Sequence, residues 1–371
     1  MPLMDVTVVI PTLDQKERLR LVLGALRGQT LGLNRFEVLV VDDGCSDGTA
    51  AMVMAATPRG LPNLHLLQSS EEARGRSAAR NAGIGGAKGE LVVFLDGDAL
   101  PAPDLLESHW AAYREHGPRV ICCGLQYVLP ELEYFQDPQT GSLMQNVPIP
   151  SVMKDFLSVR RDELIVTEET VRDNFDAIHR RAYRGSYPNE GTQQRQDEAR
   201  QLLKQRPGSP AGWVAFIPHN GAIPAQLLRQ AGGFDEEISF SEGWELAYRL
   251  QRQFGARLVT TDARSYHLYH HHPFDNPDGA REETEIRHRA VEYMATKHDD
   301  PRIRLLYFWF AHLWSDAYIP EEAVVQDLFE FDRQCEELSD DTWDEYMLVL
   351  ANHPSHFPVD SGRVLTAEAG T

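Results

Sequence analysis

The first hundred residues alternate short, wholly apolar runs with segments of helical spacing. Val6 to Pro11 (VTVVIP) is β-branched and closed by Pro11, the mark of a buried strand. Lys16 to Arg27 places Leu19, Leu23 and Leu26 at the spacing of one helical face. Phe36 to Val41 predicts a second strand, and Ser46 to Ala56 a helix capped by Ser46 or Asp47. Leu64 to Leu67 and Leu91 to Leu95 predict two further strands around a small-residue helix, Ser77 to Ala87. Such alternation predicts a mostly parallel sheet with helices on both faces. Ligands of these sheets bind beyond the carboxyl ends of the strands. Asp42-Asp43-Gly44 and Asp96-Gly97-Asp98 both fall at such ends.

The pattern weakens between Tyr127 and Gly212, which is polar, rich in Gln, Arg and Glu, and lacks a strand period. Asp162 to Arg206 could form one or two long surface helices. Trp213 to Ile217 reads as a strand, followed by Pro218-His219-Asn220-Gly221 and a short helix. A helix through Glu245 to Phe254 and a strand over Arg257 to Thr260 come next, and from His272 to about Leu350 the chain reads as helical and acidic. Leu305 to Trp314 is the longest strongly apolar run. It is too short to span a bilayer and reads as a core helix.

Charge narrows the choice of partners. The 371 residues carry 56 acidic against 36 basic side chains, a net charge of −20. That balance argues against bare nucleic acid and against an anionic membrane surface. An anionic ligand would have to be met by a few local arginines and a metal ion. The cysteines Cys45, Cys122, Cys123 and Cys335 include no CxxC pair and are expected to be reduced, mostly buried thiols of a cytoplasmic protein. Met1 to Asp5 shows neither a basic nor an apolar stretch of the kind a signal peptide needs.

Three constellations carry candidate chemistry. Asp96-Gly97-Asp98 after a buried strand can hold Mg²⁺ or Mn²⁺ against a diphosphate, since these ions take oxygen ligands from protein and phosphate together. Alone, such a triplet is more often a solvated turn. Asp43 at a strand end is placed to accept from a ribose or a base edge, although the same residues also suit a helix-capping turn. Arg74, Arg76 and Arg80 make a cationic spot at a helix start, where cations oppose the helix dipole and so need another reason to be there. No GxGxxG follows the first strand and no GxxxxGK[ST] occurs, which disfavours dinucleotide and P-loop readings.

In this order and spacing VVIPTLDQ, VLVVDDGCSDGT, GRSAARNAGI and LVVFLDGDAL resemble the donor-half motifs of family 2 glycosyltransferases of the GT-A fold. HNGAIP, GGFDE and SEGWELAYRL, between Trp213 and His267, resemble the acceptor-half motifs, with chondroitin-polymerase-like members among the similar sequences. The resemblance implies an α/β GT-A domain: a donor half over 1–126, an insertion over 127–212 forming an acceptor or homo-oligomer region, an acceptor half over 213–272, and a helical C-terminal extension over 273–371. It implies transfer of a sugar from a nucleotide-diphospho-sugar, a UDP-sugar first, with inversion and a divalent metal, to an acceptor the sequence does not identify.

Residue by residue, the resemblance implies that Pro11, Thr12, Asp14 and Asp43 line the nucleoside pocket. Arg76 would lie near the nucleotide, and Arg80 would be a helix or phosphate contact. Asp96 and Gly97 would approach the ribose or sugar, while Asp98, with Asp96 and His267, would hold Mn²⁺ or Mg²⁺. His267 heads a run with His270, His271 and His272. The departure is Gly243, where the family usually carries the aspartate that deprotonates the acceptor. Glu242 and Glu245 are the nearest carboxylates, with Glu242 the first candidate base and Glu245 a candidate helix residue. That departure keeps open a retaining transferase and a sugar-nucleotide-binding protein without catalysis. A nucleotidyltransferase would need a glycine- and lysine-rich loop that Pro11 to Gly24 lacks.

Overall fold

A computed structural model of the chain describes residues 4–56, 60–69, 75–129, 166–184, 190–268, 270, 277–313, 327–337, 344 and 348. Arg74, His271, His272 and Trp314, singled out above, lie outside the described residues, as does 130–165 within the proposed insertion.

The donor half follows the apolar pattern closely. Strand β1 is Val6–Thr12, helix α1 Lys16–Leu26, β2 Phe36–Asp42, α2 Thr49–Ala56, β3 Leu64–Gln68, α3 Arg76–Gly86 and β4 Leu91–Leu95. The four strands run parallel in the order β3-β2-β1-β4. Every residue of β1, β2 and β4 is buried, because successive side chains enter two different cores. Val8 and Ile10 face the core formed with α1 and α2, and Val9 faces the one formed with α3. Asp47 accepts from the Thr49 backbone N–H at 3.0 Å and from the Lys16 N–H at 2.8 Å, and so holds the first turns of both α2 and α1.

Beyond β4 the sheet becomes mixed. Strand β5 is Ala99–Pro101, α4 Leu105–His116, β6 Val120–Leu129, α5 Glu168–Asp173, α6 Phe175–His179, β7 Tyr183–Arg184 and α7 Glu190–Gln205. Strand β8 is Asn220–Pro224, α8 Ala225–Ala231, α9 Glu242–Phe254, β9 Arg257–Leu268, α10 Pro277–Lys297, α11 Leu306–Leu313 and α12 Leu328–Glu337. The sheet continues β4-β8-β6-β9-β5, with β7 on β6. β6 and β9 are parallel, whereas β8 and β5 pair antiparallel with their neighbours.

Three expectations need correction. Trp213 to Ile217 is no strand: Gly212–Ala215 forms a 3-10 turn, and the strand is the segment after it, Asn220–Pro224. Trp213 packs edge-on to Tyr248, Trp244 and Phe331, so a cluster of rings, and not a ladder, uses its apolar surface. β6 runs through the expected boundary at 126 to Leu129 and pairs with β7 inside the segment read as an insertion. The acceptor-half helix begins at Glu242, not Glu245.

The described part of the C-terminal extension joins the second core. Leu306, Tyr307, Phe308, Trp309 and Phe331 are buried there, with Trp309 packed on Trp244. Among the described residues no helix is long and apolar enough to cross a membrane. Cys122, Cys123 and Cys335 are buried free thiols, and burial pushes the Cys335 thiol up to about 12.

Beneath the sheet's centre His109 Nε2 lies 2.9 Å from Asn220 Oδ1. The Asn220 amide donates to the Leu125 and Ala263 carbonyls, which leaves its oxygen to accept from His109. The imidazole is therefore the Nε2–H tautomer, and burial holds its pKa down at about 4. This network ties α4 to the crossing of β6, β8 and β9.

Candidate active site

The carboxyl ends of β1, β2 and β4 open into a cleft of about 730 Å³. Pro11, Thr12, Asp43, Arg76, Asp96, Asp98 and Glu242 line it, so seven of the residues expected from sequence come together. Arg18, Phe240 and His270 line it too.

Asp43 is fixed by its surroundings. It accepts from Ser69 Oγ at 2.7 Å and from the Gly75 N–H at 2.9 Å, which ties the end of β2 to the start of α3. Asp14 serves a neighbouring purpose and does not line the cleft. With φ at +48°, it accepts from the Ser46 and Asp47 backbone N–H groups at 2.6 and 3.2 Å. It thus clips the β1–α1 loop to the turn after β2. Gly97 has no unusual φ, and a Cβ there would meet the amide end of the Gln15 side chain, which would have to move aside.

The two aspartates of the triplet have different partners. Asp96 Oδ1 receives Arg80 Nη2 at 2.9 Å, while Arg80 Nη1 donates to Glu242 Oε1 at 2.7 Å. The Arg80 guanidinium is buried over the Phe234 ring and bridges the end of β4 to the first turn of α9. It therefore orients two cleft carboxylates and does not itself line the cleft. Burial favours a protonated Glu242, but Arg80 and then Arg76 outweigh it, and its pKa lies below the usual carboxylate value.

Asp98 points to the histidines. Its Oδ2 lies 3.2 Å from His270 Nε2 and 3.7 Å from His267 Nε2. The sheet sets this geometry: β5 starts directly after Asp98 and pairs antiparallel with β9, so that Ala99 faces His267 and the Leu268 N–H donates to the Asp98 carbonyl at 2.7 Å. Burial would raise the Asp98 carboxyl, yet the two imidazoles hold it well below its ordinary value. Burial likewise pulls His267 down, and Asp98 reverses it, leaving the imidazole raised. One carboxylate oxygen and two imidazole nitrogens lie within 4.8 Å of one another, a donor set that fits a divalent cation. Asp96 does not belong to this set.

Glu245 stands apart from the cleft. It is fully buried, and its carboxylate accepts from Arg249 Nη2 at 2.9 Å, Lys297 Nζ at 2.8 Å and His298 at 3.1 Å. Burial would raise its pKa, but these partners press it far below the usual range. The expectation of Glu245 as a catalytic group is thus corrected to a structural one: it joins α9 to α10. At Gly243 a Cβ would lie 2.5 Å from Pro218 Cδ, so the family's aspartate does not fit that slot without moving Pro218.

Sequence reasoning missed Arg18 and Phe240, and grouped His270 only with its neighbours. A basic residue one turn into the helix after β1, in so acidic a chain, was the available signal for Arg18. Phe240 and Ser241 both have positive φ, +62° and +61°, immediately before α9. The Phe240 ring lies under the Arg76 and Arg287 guanidinium groups at 4.8 and 5.0 Å. Asn81, in the GRSAARNAGI segment, steadies the same loop by bonding the Phe234 N–H at 2.8 Å and its carbonyl at 2.9 Å.

The profile described as Glycosyl transferase family 2 matches residues 7–181. By that match, residues 7–181 belong to glycosyltransferase family 2. It is 26% identical over 302 residues to an uncharacterized glycosyltransferase, YfnE, of Bacillus subtilis, an alignment covering 81% of this chain and 72% of that protein. It is 30% identical over 249 residues to a validoxylamine A glucosyltransferase of Streptomyces hygroscopicus, covering 66% of this chain but only 47% of that protein. A crystal structure of Staphylococcus aureus TarS 1-349 superposes with a TM-score of 0.50 at 16% identity, covering 94% and 90% of the two chains. That likeness speaks to the fold alone, and the expected α/β GT-A fold is borne out. A glycosyltransferase enzyme, read first from the motifs, is borne out at the level of the family.

Proposed function

We propose that this family 2 glycosyltransferase moves a sugar from a nucleotide-diphospho-sugar, a UDP-sugar first, to an acceptor hydroxyl with inversion at the anomeric carbon. The observation that carries the reading is the convergence of Asp43, Arg76, Asp96, Asp98 and Glu242 on one cleft at the strand ends. Asp43 would receive the nucleoside, between Pro11 and Thr12 on one side and the start of α3 on the other. Arg18 and Arg76, which line the cleft, would face the diphosphate. Asp96, held by Arg80, would approach the ribose or sugar hydroxyls.

In the reaction the acceptor oxygen attacks the anomeric carbon as the bond to the diphosphate oxygen breaks on the opposite face. Glu242 would take the acceptor proton, because it is an ionised carboxylate within the cleft and the family's base position is the glycine beside it. Asp98 with His267 would hold Mn²⁺ or Mg²⁺, and such a cation would neutralise charge developing on the departing diphosphate.

Gly243 favours a second reading, a retaining transferase, in which no base is needed opposite the leaving group. Proton NMR of the product separates the two. Incubation with UDP-glucose and UDP-N-acetylglucosamine, both α-linked donors, is expected to give a β-linked anomeric signal. An α-linked product would establish retention and remove Glu242 from the base role.

A further inference from the structure

His270 was read from sequence only as part of a histidine run, and His267 was the histidine carried over from the family. The geometry adds more. His270 Nε2 is the closer of the two imidazoles to Asp98, at 3.2 Å, and His270 itself lines the cleft. Its ring centroid lies 5.9 Å from that of His267. Asp96, the other carboxylate of the triplet, is engaged by Arg80. We infer that this chain's cation site is a two-histidine, one-aspartate set, His267, His270 and Asp98, which selects Mn²⁺ over Mg²⁺.

The selectivity follows from ligand chemistry. Mg²⁺ demands oxygen donors and gives up its water reluctantly, whereas imidazole nitrogen suits the first-row transition ions. Two nitrogens and one oxygen from the protein leave the remaining positions to diphosphate oxygens and water. A surface histidine run, by contrast, would bind metal without regard to Asp98. The inference takes the location of the site from the donor-cleft reading, but its test does not depend on sugar transfer.

Mn²⁺ binding is measured by electron paramagnetic resonance on the full chain, with and without UDP, and Mg²⁺ is added as competitor. The wild type is expected to bind Mn²⁺ at least 10-fold more tightly than Mg²⁺. His270→Ala and Asp98→Ala should each weaken Mn²⁺ by roughly 10-fold or more, no less than the loss of a partner supporting a ligand. His270→Asp restores a donor atom but an oxygen, so it should recover binding while narrowing the Mn²⁺/Mg²⁺ ratio. Circular dichroism confirms that each variant is folded. Unchanged Mn²⁺ affinity in folded His270→Ala, equal competition by Mg²⁺, or no Mn²⁺ binding by the wild type with or without UDP would each overturn the inference. UDP binding measured in EDTA reports on the donor cleft separately, so failure of the metal set is distinguishable from failure of the transferase reading.

Discussion

Replacing Arg80 with methionine is expected to lower the stability of the folded chain by about 3 kcal/mol, the low end of the cost of removing one partner from a buried ion pair. The low end applies because Asp96 is 27% exposed and keeps part of its hydration, while Glu242 at 7% keeps little. The guanidinium reaches both carboxylates because its planar fork presents two parallel donors. Arg80→Lys keeps the charge but as a single compact point, so it should recover part of the stability and leave one carboxylate unheld. Turnover should fall by roughly 100-fold in both variants, since displacement of groups around a reacting centre by about 1 Å has that scale of effect. Urea unfolding midpoints with an unchanged slope check the first expectation. A midpoint for Arg80→Met equal to wild type would show that the bridge does not hold the two halves of the site together.

The second large effect is expected at Glu242. Glu242→Gln keeps the size and can still accept from Arg80, but it cannot take a proton. Turnover should fall by about 10²–10⁴-fold with donor affinity little changed, the signature of a group acting in the transition state and not in ground-state binding. The pH profile should agree. Arg80 holds the Glu242 carboxyl below its ordinary value, so the ionised form required of a base persists through neutral pH, and activity should fall only on the acid side. Glu245→Gln is the control, because Glu245 serves Arg249, Lys297 and His298 at the joint of α9 and α10. It should lower stability and leave the per-molecule rate near wild type. Normal turnover by Glu242→Gln would remove the assignment. Reinstating the family's aspartate at Gly243 is no rescue, because its Cβ would meet Pro218.

The donor half was legible because its signal is local. Each of β1, β2 and β4 is buried along its whole length, so the sequence shows an unbroken apolar run and the polar residues after it mark the strand end. The acceptor half was less so. Asn220–Pro224 is a central strand that carries asparagine, glycine and proline, and only its pairing with β4 and β6 makes it one. Trp213 to Ile217 has the composition of a strand, but tertiary ring packing overrides that preference. The triplet Asp96-Gly97-Asp98 shows the same limit within the site. Two aspartates one residue apart are equivalent in sequence, and they are divided only by what faces them, Arg80 for one and a histidine pair for the other. His270 became meaningful only through the pairing of β5 with β9, and three residues, Ala99–Pro101, are too few to announce a strand.

The cleft at the ends of β1, β2 and β4 is expected to receive a nucleotide diphosphate together with a divalent cation. Calorimetric titration of the full chain with UDP, once with Mn²⁺ and once with EDTA, tests it most directly. Binding should strengthen with Mn²⁺, and Asp98→Ala should abolish that gain while retaining the weaker, metal-free binding. Equal UDP affinity in Mn²⁺ and EDTA, or no binding of UDP in either, would contradict it.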